Sequence, residues 1–145
     1  MSSLPDEDKL LKNFARLQNW EERYLYLIEL GEKLSPLSDQ EKQTQNQVSG
    51  CQSQVWLFME LESDKRIRIS GDSDAAIVKG LIALLMIIFR NKTGQEILTT
   101  DSRTFFQKLS LEQHLTPSRT QGLHAMIRTI HHRAYKLTNE AILCK

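Results

Sequence analysis

The sequence predicts an α+β fold: a small antiparallel β-sheet packed with α-helices, with Cys51 on a loop beside the sheet. Three observations carry this reading. Apolar residues recur at helical spacing over residues 10–34 and again over 123–137, and over 55–69 the period changes to two. Between these patterns lies a segment, residues 75–89, whose only charge is Lys79. At 145 residues, one domain spanning the chain is the expected organisation, because a chain of this length buries enough surface to make a core without disulfides or metal.

Leu10, Leu11, Phe14 and Leu17 define one face of a first helix, and Asp6, Glu7 and Asp8 stand at the positive end of its dipole. Asn19, with Glu22 three residues on, reads as the start of a second helix with the stripe Trp20, Tyr24, Leu27, Ile28 and Leu34. Gly31 in that stripe either admits close packing or marks an early end. Residues 35–53 read as loop. Val55, Leu57, Met59 and Leu61 then alternate with their neighbours, Ser63-Asp64 interrupts, and Ile67 and Ile69 resume the pattern, which is a hairpin signal. Glu60 and Glu62 would face Arg66 and Arg68 across its wet side.

Gly71-Asp72-Ser73-Asp74 is expected to end the hairpin and to offer capping side chains to the apolar helix over 75–89, which must be covered on most sides. Residues 91–103 look loop-like, with a weak helix at 94–98 and another near 104–109. Thr116-Pro117 reads as the cap and first position of a last long helix with the stripe Leu123, Ile127, Ile130, Ala134 and Leu137. Arg128, Arg133 and Lys136 are expected on its wet face.

Lys and Arg number 19 and Asp and Glu 18, for a net charge of +1, so bulk electrostatics give no case for nucleic acid or an anionic membrane. The charge is uneven: residues 1–62 hold 6 bases and 11 acids, and the rest 13 bases and 7 acids, which suits a charged protein partner. The N-terminus lacks the features of a signal peptide, and the longest apolar run, residues 81–89, falls well short of the roughly 17–25 residues of a membrane span. A cytoplasmic location with both cysteines, Cys51 and Cys144, as free thiols is the expectation.

Chemistry centres on Cys51. Gly50 lets the chain turn sharply before it, and Asn46, Gln47, Ser49, Gln52, Ser53 and Gln54 surround it with uncharged polar groups. No Lys, Arg or His lies within eight residues, so any charge that activates the thiol must come through the fold or a partner. The plainer alternative is an inert buried thiol. His114, His124, His131 and His132 show no metal-ligand spacing, and neither a metal site nor a cofactor is expected. Arg119 in the first turn of the last helix opposes the helix dipole and invites a reason, although a solvated or ion-paired arginine is the simpler account. Asp74 reads as a helix-start acid, with partner contact as the second option.

Four segments in order, residues 20–31 (WEERYLYLIELG), 50–57 (GCQSQVWL), 71–81 (GDSDAAIVKGL) and 115–123 (LTPSRTQGL), make the chain resemble the SufE family. These are sulfur acceptors that work with a cysteine desulfurase in iron–sulfur cluster assembly. The likeness spans residues 10–137. It implies that Cys51 accepts persulfide sulfur from a SufS-type desulfurase, stimulates that enzyme, and passes the sulfur to a SufB-containing scaffold complex. It also suggests, for Arg119, desulfurase contact or a place beside the sulfur loop, while for Asp74 partner contact rests on its position next to the Gly71 turn. The chain would then be an accessory protein rather than an enzyme. A Cys-nucleophile enzyme and a thiol redox or regulatory protein using Cys51 and Cys144 remain the alternatives, and a homodimer is left open. Cys144 stands outside these segments and is expected to share no role.

Overall fold

The computed structural model describes residues 4–143, with side chains to residue 139. Helix α1 (Glu7–Arg16) opens at Asp6, whose carboxylate accepts the Lys9 N–H at 2.8 Å. Helix α2 (Trp20–Glu32) opens at Asn19, which accepts the Glu22 N–H at 2.9 Å, while the Glu22 carboxylate reaches back to the Gln18 N–H at 3.0 Å. The expected cap is present, with its return bond one residue earlier than in a capping box.

The hairpin is strand β1 (Val55–Leu61) against β2 (Arg66–Ser73), antiparallel, with Leu57 opposite Gly71 and Glu60 opposite Arg68. Glu60 and Arg68 form the expected ion pair, whereas Arg66 turns to Asp64 at 3.7 Å rather than to Glu62. Two corrections follow. Gly71, Asp72 and Ser73 do not end the hairpin but extend β2, because each finds a partner or a packed position inside. A third strand, β3 (Lys92–Thr93), pairs with Arg66 and Ile67 in the stretch that reads as loop. Two residues are too short to show an alternation.

Helix α3 (Ala76–Phe89) is the centre of the molecule. Leu81, Ile82, Ala83, Leu84, Leu85, Ile88 and Phe89 are all buried, covered by β2 on one side and α2 on another. The α2–α3 crossing is built on Gly31 and Gly80: a Cβ on Gly31 would lie 2.7 Å from the Gly80 nitrogen, and one on Gly80 would lie 2.7 Å from the Leu27 carbonyl carbon. Gly31 therefore serves close packing and does not end its helix.

Helix α4 (Gly94–Thr99) carries a full capping box between Thr93 and Glu96, and α5 (Ser102–Lys108) is capped by Asp101. Helix α6 (Pro117–Leu143) begins as expected, the Thr116 hydroxyl accepting the Arg119 N–H at 3.3 Å, and buries Leu123, Met126, Ile130 and Ala134. Its wet face is narrower than the sequence suggests. Arg133 is half-buried and donates to the carbonyls of Leu57 and Gln45, so it ties α6 to the edge strand and to the Cys51 loop. Burial pushes its guanidinium below the usual arginine range.

Candidate functional site

The segment from Ser35 to Gln54 is the long connection before the hairpin, and its second half is laid against the sheet and α6. A 3-10 turn at Thr44–Asn46 leads to Val48, which is buried and donates its N–H to the Val55 carbonyl at 2.8 Å. Gly50 follows with φ +89°, a conformation that costs other residues roughly 1 kcal/mol or more, and swings the chain so that the next side chain points back at α6. Farther along, the Ser73 hydroxyl donates to the Gln54 carbonyl at 2.7 Å, and Asp74 accepts the Gln54 N–H at 3.1 Å. Asp74 is thus an anchor for the root of the loop. The α3 N-cap position falls to Ala75, whose N–H meets the Ser73 hydroxyl at 3.2 Å.

Cys51 is a free, half-buried thiol. Its Sγ lies 3.7 Å from the carbonyl oxygen of Gly122 on α6 and donates to it. A Cβ on Gly122 would stand 3.6 Å from that sulfur, so the absence of a side chain keeps space beside it. The space is a cavity of about 20 Å³ lined by Cys51, Ser53, Val78, Arg119, Gly122 and Met126, among others. That is room for one water-sized group, which needs about 10–15 Å³.

Burial pushes the Cys51 thiol above its ordinary range, and the positive charge of Arg128 opposes the rise without cancelling it. The hydrogen bond agrees with this direction: a thiol can donate to a carbonyl, whereas a thiolate would face the oxygen dipole unfavourably. In this arrangement the sulfur is sheltered and protonated at neutral pH. It gains thiolate character by moving away from Gly122 toward solvent or toward added positive charge.

Arg119 reaches over the cavity and donates from Nη1 to the Ser53 hydroxyl at 3.3 Å. The fold therefore brings Cys51 and Arg119 to one small cavity, while Asp74 holds the loop root from the other side. A second anchor is one that sequence reading missed. Asp72 is 6% exposed, accepts the Ser73 N–H at 2.8 Å, and pairs with Lys42 at 3.1 Å and Lys79 at 3.8 Å. Burial alone would raise its carboxyl, but Lys42, the Ser73 N–H and Lys79 together outweigh burial and hold it below the usual carboxylate range. Lys42 also lies 5.3 Å from the Trp56 ring centroid, so the loop is clipped to the sheet by a charge and an aromatic face.

Gly122 and Arg128, too, escaped the sequence reading. The first carried a signal: a glycine inside a long helix costs about 1 kcal/mol relative to alanine and so asks for a close neighbour. Three of the four histidines have structural partners instead of a shared centre. His114 stacks on Trp20 at 4.0 Å, His124 meets Glu112 at 2.8 Å, and His131 packs edge-on to Phe89. Among the described residues no group of three or more His, Cys, Asp and Glu side chains gathers as a metal site would need. Cys144 lies outside the described residues.

Comparison with known proteins adds the decisive finding. The model of the SufE family, described as an Fe–S metabolism associated domain, matches residues 8–134. The chain belongs to the SufE family. Its fold is similar to the solution structure of a hypothetical protein from Thermus thermophilus, with TM-score 0.74 and 23% identity, over 96% of this chain and 99% of that one. The α+β fold expected from the sequence is therefore a SufE fold, and Fe–S metabolism is the process to which it belongs.

Proposed function

We propose that this SufE-family chain is a sulfur carrier: Cys51 takes a sulfur atom from the persulfide of a SufS-type cysteine desulfurase, relieves and so stimulates that enzyme, and delivers the sulfur to a SufB-containing scaffold complex. The observation that carries this reading is the free Cys51 thiol facing a cavity of about 20 Å³ on a loop turned by Gly50. The cavity is the right order of size for one extra sulfur atom.

The step is a thiol–persulfide exchange. Cys51 loses its proton and its thiolate attacks the outer sulfur of the donor persulfide. The donor S–S bond breaks, its inner sulfur leaves as thiolate and recovers a proton, and a new S–S bond forms on Cys51. No net oxidation occurs. Because the thiol is protonated where it lies, approach to the donor must accompany deprotonation, and the Gly50 turn is the point about which the loop can swing. After transfer, the cavity shelters the terminal sulfur from oxidants and stray thiols. Arg119, next to that space, is assigned to the negative charge of the persulfide or to the desulfurase surface, and the exposed Asp74 to partner contact beside the loop root. The chemistry suits a reducing cytoplasm, and no helix among the described residues is long and apolar enough to cross a membrane.

The test is the intact mass of the protein after incubation with desulfurase and cysteine, for the parent and for Cys51→Ser. The parent should gain one sulfur atom, removable by reductant. The variant should gain none, should keep the parent fold to within about 1 kcal/mol because the site is only half-buried, and should lose the stimulation of desulfurase turnover. A Cys51→Ser protein that stimulates as well as the parent would end the carrier reading.

A further inference from the structure

We propose that the cleft between α5 and α6 is a binding site for a small organic anion, an apolar body bearing one carboxylate. Its volume is about 370 Å³, within the range of small-molecule sites, about 300–1,000 Å³. Phe106 and Ile127 give it an apolar lining, and Arg103 and Arg128, both exposed, supply two cations.

Two observations define the polarity and the charge of what fits the cleft. Ser102 lines the cleft and is 8% exposed, yet its hydroxyl has no hydrogen-bond partner among the described residues. That hydroxyl opens onto the cleft and is free to donate to a bound acceptor. The guanidinium of Arg128 likewise has neither an ion pair nor a hydrogen bond among the described residues. Arg103 feels the Asp101 carboxylate, but that group is already held by the Thr104 N–H at 3.1 Å and the Thr104 hydroxyl at 2.6 Å. The carboxylate in the lining, Glu112, turns to His124 at 2.8 Å and pairs with neither arginine, so the two cations outnumber it. What is left is an apolar surface with positive charge and one free hydroxyl. A planar carboxylate matches the guanidinium fork, and an attached hydrocarbon covers Phe106 and Ile127, which inorganic phosphate would leave bare.

Occupancy has a consequence at the thiol. The charge of Arg128 favours the Cys51 thiolate, so a carboxylate on Arg128 withdraws part of that support. By linkage, ionisation of Cys51 weakens the anion by the same factor.

The probe is 3-phenylpropionate, titrated into the 15N-labelled full chain, with 3-phenylpropionamide as its neutral counterpart. Saturable shifts are expected at the amides of Ser102, Arg103, Phe106, Ile127 and Arg128. The amide should bind about tenfold more weakly, the size of one lost charge-assisted hydrogen bond, and so should the carboxylate on Arg128→Gln. Alkylation of Cys51 by neutral iodoacetamide, at fixed pH and ionic strength, should slow as the carboxylate saturates. Equal binding of the amide, shifts that map elsewhere, or undiminished affinity in both Arg128→Gln and Arg103→Gln would overturn the proposal. Inorganic phosphate binding as tightly at the same amides would overturn the assignment of an apolar carboxylate. No desulfurase enters these measurements, so the cleft stands or falls apart from the sulfur-carrier reading.

Discussion

The α2–α3 crossing and the Cys51 pocket share helix α3 and use glycine in opposite ways. At the crossing, Gly31 and Gly80 remove side chains so that two backbones touch, and nothing is left between them. At the pocket, Gly122 removes a side chain so that a gap remains beside a sulfur. The first arrangement makes a rigid floor. The second leaves a loop held by a few polar ties: Asp72 to Lys42, Asp74 and Ser73 to Gln54, Arg119 to Ser53. Polar ties near a surface are individually worth little, so the loop can open while the floor stays shut.

The largest effect is expected where the glycines touch. Gly80→Ala places a methyl group 2.7 Å from the Leu27 carbonyl carbon, a backbone atom that cannot step aside alone, so α2 and α3 must separate. A loss of about 3 kcal/mol is expected, the upper range of overpacked cores, and urea denaturation reads it directly. A variant as stable as the parent would mean that the crossing yields, and the contrast between floor and loop would fail.

Next in size is the clip on the loop. Lys42→Ala leaves Asp72 with Lys79 and the Ser73 N–H, so the fold should survive with a loss of about 1 kcal/mol while Cys51 alkylates several-fold faster. The pH dependence has a definite sign. A carboxyl depressed in the folded state contributes stability above its unfolded pKa and loses it as pH falls through the folded one. The advantage of the parent over Asp72→Asn should therefore be full at neutral pH and shrink below about pH 4, where unfolded carboxylates take up protons. An advantage that grows in acid would remove Asp72 from the account.

The packed helices and sheet were far more legible in sequence than the surroundings of the thiol, for a physical reason. Local signals decide helix starts and strand alternation, so Asn19, Thr116-Pro117 and the pattern from Val55 to Ile69 announced their elements. Gly50 and the polar residues around Cys51 announced a turned loop. What surrounds the thiol comes from far along the chain: Gly122 is 71 positions away and Arg119 meets Ser53 across 66. Asp72 misled because an acid after a glycine is usually a turn or a cap, and only the Lys42 and Lys79 charges offset the cost of burying it. Arg133 misled likewise, since the carbonyls it serves belong to residues 45 and 57.

A smaller change is expected at Arg119. Arg119→Ala removes one bond to Ser53 and a cation from a helix start where it was slightly unfavourable, so stability should move by no more than about 0.5 kcal/mol. Sulfur transfer from desulfurase should fall several-fold. Thermal melts and persulfide loading on the same preparation separate the two. A loss of several kcal/mol with normal transfer by the remaining folded protein would make Arg119 a structural residue.

Gly122→Ala, which adds a single methyl group, separates the two uses of glycine most cleanly. Its methyl group would stand 3.6 Å from the Cys51 Sγ and 3.9 Å from its Cβ, which is ordinary contact rather than a clash. Alanine is the better helix former by about 1 kcal/mol, so the variant should be slightly more stable than the parent, by a few degrees in Tm. The methyl group nonetheless occupies much of a cavity of about 20 Å³. If that cavity shelters the transferred sulfur, the loaded variant should lose its persulfide to external reductant faster than the parent does, while unloaded Cys51 reacts with iodoacetamide at a similar rate. Gain of stability together with loss of shelter is the signature of space kept for a ligand atom. A Gly122→Ala protein whose persulfide lives as long as the parent's would show that the sulfur rests elsewhere, and the gap at α6 would then be only an imperfection of packing.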